Sequence, residues 1–303
     1  MRITRRELLQ GSLALPFLPA AKKLPLAFST LGCPKWPWAR VLEEATRSGY
    51  AAVELRGIEG EMDLTKRPEF SPSRIAGSLR ELEERDIKIS DLGASARMHE
   101  SDPEKRRAQI DEGKRFIDLA HKLNCPYVRV FPDKLVPNEP KSTTVARIAA
   151  GLRELGEHAR GAGVGVIMES HGDITDSPTL LEILKASEMP EVGLLWDTHH
   201  TVVEGHETPE ETFRRVARYV RHTHIKDSKP DGKGGHSYVL TGQGTVPVRE
   251  IVRVLARGGY RGYYCFEWEK AWHPEIDEPE VAIPHFAKTV REYLEEAGAQ
   301  RQG

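Results

Sequence analysis

From Leu24 onward, eight short apolar runs alternate with longer stretches whose apolar residues recur at helical spacing. The runs are 25–31, 51–55, 87–92, 127–131, 164–169, 192–197, 220–226 and 262–268. Helical patterns fill 39–48, 72–85, 103–123, 143–162, 209–219, 248–256 and 280–297. Strand and helix in regular alternation call for a parallel sheet. Stop signals agree: Gly49, Asn124, Gly161-Ala162-Gly163 and Gly258-Gly259 stand where helices should end in a left-handed residue. Ser71-Pro72, Asp102-Pro103 and Ser177-Pro178 read as helix caps followed by proline at the first helical position. Eight rounds predict an α/β chain folded as one (β/α)8 TIM barrel over residues 24–303. An open doubly wound sheet is the alternative, but no GxGxxG follows the first run, and such a sheet does not bring eight strand ends to one rim.

The first 23 residues differ from the rest. Arg5-Arg6 precedes a modest apolar stretch, Leu13 to Leu18, then Pro19-Ala20-Ala21 and Lys22-Lys23. Paired arginines, a weak apolar core and small residues at a cleavable position predict a twin-arginine signal and export to the periplasm or beyond. An amphipathic helix capped by Thr4, with the protein staying in the cytoplasm, is the competing reading.

Charge narrows the partners. Lys and Arg number 44 against 46 Asp and Glu, a net charge of −2, so no global field draws in nucleic acid. No stretch approaches the roughly 20 apolar residues of a membrane span. Cys33, Cys125 and Cys265 are scattered and odd in number, which argues against a disulfide framework or a zinc-thiolate knuckle. A small-molecule ligand fits this balance, and monomer and homo-oligomer both stay open.

Four side chains that bind divalent metals stand at the ends of four successive runs: Glu169, Asp197, His224 and Glu267, spaced 28, 27 and 43 residues apart. A barrel spends roughly 30 residues on each strand and helix, and its strand ends converge on one mouth. Three carboxylates and one imidazole suit Mn²⁺ best, with Mg²⁺, Co²⁺ or Zn²⁺ also possible. Strand parity puts His222, His224 and Lys226 on one face, and Cys265, Glu267 and Glu269 on another. Glu269 therefore rivals Glu267, while His222 reads as a structural residue one layer down. Glu54, His99, Arg129, His171, Lys226 and Glu269 are candidate binders of substrate hydroxyls. Lys226 is also placed to hold an oxyanion or restrain a glutamate. Trp36, Trp196, Trp268 and Trp272 are candidate apolar walls against a sugar face, and the glycines of 232–235 and 242–244 read as a mobile rim loop.

These residues carry a resemblance. Leu31-Gly32-Cys33-Pro34 with Trp36, Gly49-Tyr50 leading into Val53-Glu54-Leu55-Arg56, Asp197-Thr198-His199-His200, His222-Thr223-His224-Ile225-Lys226-Asp227 and Gly242-Gln243-Gly244 resemble the xylose isomerase-like barrel superfamily of sugar phosphate isomerases and epimerases. The resemblance covers nearly everything after residue 24. It implies that Glu169, Asp197, His224 and Glu267 hold a metal, that Glu169 and Glu267 form the acid-base pair, and that His200 touches the substrate. Proton transfer through an enediolate on a free sugar or keto-sugar is then the implied chemistry. Metal-dependent loss of water from a keto-sugar or inosose is the alternative, and a non-catalytic sugar-binding protein a more distant one. The superfamily's nuclease branch is disfavoured, because the chain lacks the extra strand-end histidines and the basic surface. Exposure to phosphorylated sugars is not expected of an exported enzyme, and no Gly-rich phosphate cradle follows the last two strands.

Overall fold

The apolar runs become strands because both of their faces are covered. The computed structural model, which describes residues 23–298, places strands at β1 (Leu26–Ser29), β2 (Ala52–Leu55), β3 (Lys88–Arg97), β4 (Tyr127–Phe131), β5 (Gly165–Glu169), β6 (Val192–Asp197), β7 (Val220–Ile225), β8 (Asp227–Pro230), β9 (His236–Val239) and β10 (Tyr264–Phe266). β1 to β7 and β10 close a barrel in which every neighbouring pair is parallel, with β10 completing the ring between β7 and β1. Helices α1 (Trp38–Arg47), α2 (Ile75–Glu84), α3 (Pro103–Lys122), α4 (Lys141–Ala162), α5 (Ser177–Ser187), α6 (Thr198–Val203), α7 (Pro209–Val216), α8 (Val248–Arg257) and α9 (Pro279–Glu296) occupy the connections and the C-terminal segment. The chain is a single (β/α)8 TIM barrel domain. Its ends are tied together where Tyr50, just before β2, donates its hydroxyl to the Ile283 carbonyl of α9 at 2.7 Å.

Alternation along each strand divides the buried residues into two populations. Leu26, Phe28, Val53 and Leu55 point outward into the core shared with the helices. Ala27, Ala52 and Cys265 pack together as a separate small cluster inside the barrel. Above them the interior turns polar, with Glu54, Asp91, Arg129, His222 and His224 all buried. A barrel normally fills this space with branched apolar side chains. Here small residues at the bottom leave room for ionisable ones on top.

Local chemistry sets the element ends. Asn124, Gly163 and Gly259 adopt the expected left-handed conformation after helices, with φ of +52°, +67° and +78°. Asp102 caps α3 by accepting from the Glu104 and Lys105 amides. Two starts differ from expectation. α5 is capped by Asp176, so Ser177 is its first residue, and α2 begins at Ile75 because 71–74 form a turn. α6 has no apolar periodicity to announce it. It exists because Asp197 accepts from the His199 and His200 amides.

The segment after β7 forms an antiparallel hairpin of β8 and β9, with the glycines of 232–235 at its turn and those of 242–244 just past it. Asp227 pins its base, with Oδ2 accepting from the Gly242 and Gly244 amides at 2.8 and 3.0 Å and Oδ1 from Val246 at 3.2 Å. The predicted export segment, 1–23, lies outside the described residues except for Lys23, which donates to the carbonyls of Arg85 and Asp86. Among the described residues, no helix is long and apolar enough to cross a membrane.

Asp227→Ala leaves three amides at the hairpin base without an acceptor. We expect a loss of about 2–3 kcal/mol, read as a lowered Tm, together with new proteolytic cleavage between 228 and 245.

Candidate metal and substrate site

β7 positions His224 at the centre of the upper barrel, where register aligns it with Asp197 on one side and Cys265 on the other. Its Nε2 meets Glu54 Oε2 at 2.7 Å. Its Nδ1 faces Glu267 Oε1 at 3.2 Å, Glu169 Oε1 at 3.5 Å and Asp197 Oδ2 at 3.7 Å. The ring is thus held from below by one carboxylate and looks up at three. Donor atoms of Glu169, Asp197, His224 and Glu267 all lie within 4.8 Å of one another. His224 Nδ1 and Glu169 Oε2 are buried without a hydrogen-bond partner. Orphaned polar atoms in a buried site are costly; His224 Nδ1 points at the place among Glu169, Asp197 and Glu267 where a cation would neutralise the carboxylates, whereas Glu169 Oε2 faces Arg129 Nε at 3.1 Å. The residues fit a divalent ion, with Glu54 as the outer carboxylate that orients a ligating imidazole.

Electrostatics follow from this crowding. Burial resists ionisation of Glu169, but the positive charges of Arg129 and His224 outweigh it and hold the carboxyl down at about 2. Burial likewise opposes charge on Asp197, yet His200 and Lys226 keep it well below the ordinary carboxylate range. Desolvation would neutralise His224, but Glu267, Glu54 and Glu169 surround it and push its pKa well above 6.5. Asp91 has no such surplus of cations. Burial and the nearby Glu54 charge raise it to about 7, and its Oδ1 lies 3.1 Å from His222 Nε2.

Lys226, fully buried, bridges three carboxylates: Asp197 Oδ2 at 2.6 Å, Glu269 Oε1 at 3.0 Å and Glu267 Oε2 in a short contact. It is a restraint on the acids, and its ammonium does not line the cavity. Glu269 lines the cavity while bonded to Lys226, and burial raises its pKa despite that ammonium.

The cavity, about 200 Å³, opens beside the cluster and is walled by Glu169, Glu267, His171, His200, Arg129 and Glu269 among the expected residues. His171 Nδ1 donates to Asp133 Oδ1 at 3.2 Å and stacks edge-on against His200. His200 Nδ1 donates to the Ser170 carbonyl at 2.8 Å, which leaves Nε2 for a ligand.

Three expected hydroxyl binders lie elsewhere. Glu54 sits beneath His224, Lys226 is enclosed by acids, and His99 follows β3 outside the cavity with a buried, unpartnered Nδ1. Of the tryptophans only Trp272, 56% exposed, reaches the mouth. Trp196 stacks on Phe213, Trp268 on Phe266, and Trp36 lies under Arg40. Arg56, Arg97, Phe131 and Asp133 also line the cavity. No role follows for them from sequence, because each lies near a strand end among other charged or apolar residues, and Asp133 owes its placement to a left-handed φ of +69°.

The chain is similar to several known proteins. Fructoselysine 3-epimerase of Shigella flexneri is 25% identical over 253 residues, covering 78% of this chain and 87% of its own. Inosose dehydratase of Clostridium botulinum (strain Alaska E43 / Type E3) is 25% identical over 166 residues, 49% of this chain and 53% of its own. The solved structure of a xylose isomerase-like TIM barrel protein from Mycobacterium smegmatis, in complex with magnesium, matches with a TM-score of 0.66 at 21% identity over 90% of this chain and 96% of the other. The family model described as xylose isomerase-like TIM barrel matches residues 42–295, and the chain belongs to that family.

Proposed function

We propose that the protein is a divalent-metal-dependent isomerase or epimerase of a sugar or keto-sugar, with Glu169 and Glu267 as its proton-transferring pair. The observation that carries this reading is the convergence of Glu169, Asp197, His224 and Glu267, with His224 Nδ1 left without a hydrogen bond inside the cluster. These four residues would hold the ion, and three carboxylates to one imidazole favour Mn²⁺, with Mg²⁺, Co²⁺ and Zn²⁺ also compatible. When bound, the ion supplies Lewis acidity to the oxygens of a substrate carbonyl and its neighbouring hydroxyl.

The side chains supply the rest. Glu169 stays ionised at neutral pH, so it can accept a proton from the carbon beside the carbonyl. Glu267 approaches from the other end of the arc β5-β6-β7-β10 and is steadied by Lys226. A proton removed on one face by one glutamate and returned on the other face by its partner gives an epimer. Return to the neighbouring carbon gives aldose-ketose isomerisation. His200 Nε2 and His171 would position hydroxyls. The match to a 3-epimerase over most of both chains supports epimerisation.

The shorter match to an inosose dehydratase supports a second reading, in which the same glutamates expel a β-hydroxyl as water. A product absorbing in the ultraviolet, formed with no solvent deuterium retained in recovered substrate, would select it.

Chelation of the metal is expected to abolish deuterium exchange into substrate, and Mn²⁺ to restore it. Glu169→Gln and Glu267→Gln should each lower exchange about 10²–10⁴-fold without loss of folding. Retention of exchange in both variants sinks the proposal.

Two binding measurements follow from His224. Its raised pKa means that the metal-free ring is protonated at neutral pH, so an ion must displace that proton. Affinity for Mn²⁺ should therefore rise as pH rises toward the raised pKa of His224, about tenfold per unit, and fall as pH drops. Glu54→Gln should weaken Mn²⁺ affinity about 10–100-fold in calorimetry, with the fold retained by circular dichroism.

A further inference from the structure

Arg56 and Arg129 enter the cavity side by side across Gly93 of β3. A Cβ on that glycine would stand 2.7 Å from Arg56 Cδ and 2.8 Å from Arg129 Nη2. The glycine is what lets two guanidinium groups approach each other in the wall of a closed site. Both are buried, Arg56 at 7% exposure and Arg129 at 1%.

Among the described residues, only one of the two has a carboxylate partner, Arg129 with Glu169. Arg56 donates to the Gly93 carbonyl and to Ser95 Oγ, and forms no ion pair among the described residues. Arg129 donates to the Ala94 carbonyl and lies over the Phe131 ring. Its Nε lies 3.1 Å from Glu169 Oε2 in a buried ion pair. That carboxylate is also one of the four proposed metal ligands, and Glu54 and Glu267 act on Arg56 only from beyond ion-pair distance.

The other acids in the cavity wall are committed elsewhere. Asp133 pairs with Arg97 and His171, and Glu267 and Glu269 with Lys226. Burial, and then the neighbouring Arg129 charge, lower Arg56 only to about 9, so it remains a cation at neutral pH. Burying unpaired charge costs several kcal/mol, and a planar fork of N–H donors matches an oxyanion better than a hydroxyl.

We infer that Arg56 and Arg129 form an anion subsite, and that the substrate is a sugar derivative bearing a carboxylate or phosphate group. This rests on the proposed function for the location of the reacting carbons, and it narrows the substrate from neutral sugars to charged ones. The anion lies on the Arg56 and Arg129 side of the cavity, toward β2 to β4, with the sugar carbons toward Glu169 and Glu267.

The test uses the metal-loaded full chain and three probes: fructose, fructose 6-phosphate and 5-ketogluconate. Dissociation constants come from calorimetry and proton transfer from deuterium incorporation. One of the two anions should bind about 10–100-fold more tightly than fructose, and which one does so distinguishes phosphate from carboxylate. Because a carboxylate also ligates metals, the preference, read as the ratio of anion to fructose dissociation constants on the same variant, must fall at least about tenfold in Arg56→Gln. Arg56→Lys, which keeps the charge but not the fork, should retain part of the preference and serves if Arg56→Gln does not fold. No tighter binding of either anion, or a preference that survives in Arg56→Gln, overturns the inference. Exchange into fructose without an anion preference sinks only this subsite. Anion preference without exchange into any probe sinks the proton-transfer reading and leaves the subsite standing.

Discussion

Glu54 Oε2 and His224 Nε2 meet at 2.7 Å in the middle of the barrel, and the arrangement above them depends on that contact. It fixes the plane of the ring and turns Nδ1 toward Glu169, Asp197 and Glu267. A ring free to rotate would aim Nδ1 at no particular point, and three carboxylates would face one another across unfilled space. Glu54 is itself held well below the usual carboxylate range despite burial, because His224 and His222 flank it. Carboxyl and imidazole groups therefore alternate upward through the barrel, from Asp91 and Glu54 through the two histidines to the upper acids.

Such a column is expensive to bury. Each ion removed from water loses several kcal/mol of hydration and regains it only from well-placed opposite charge. Ala27, Ala52 and Cys265 explain how the fold accommodates the column, since larger residues there would push Glu54 and His222 out of plane. The apolar stability that the interior forgoes is supplied outside, where the helices pack against Leu26, Phe28, Val53 and Leu55. The barrel is stabilised by its jacket and specialised by its bore.

Much of this was legible in sequence, and the reason is geometric. Repeated strand and helix signals of period 2 and 3.6 are local, so eight rounds could be counted directly, and parity then placed His224 and Lys226 on one inward face. Meeting points between strands are not local. The depth of Glu54 below His224 depends on stagger accumulated between strands far apart in sequence, through registers that align Ala52 with Ala27, Ala27 with Cys265 and Cys265 with His224. Nothing near Glu54 distinguishes a carboxylate at the rim from one a layer down. The hairpin after β7 was hidden for another reason: its glycines resemble a flexible loop, and two side chains order them, Asp231 by accepting from the Lys233 and Gly235 amides at the turn and Asp227 by gathering three amides at the base. Arg56 and Arg129 escaped as a pair because what joins them is the missing side chain of Gly93, on a strand between theirs.

Lys226 has one more implication. An ammonium lodged among Asp197, Glu267 and Glu269 does for those acids, permanently, part of what a bound ion would do. Mutual repulsion among the acids is therefore relieved as soon as the chain closes, by a charge that cannot dissociate. Under the proposed function, closure of the shell and capture of a divalent cation are then separable stages of maturation.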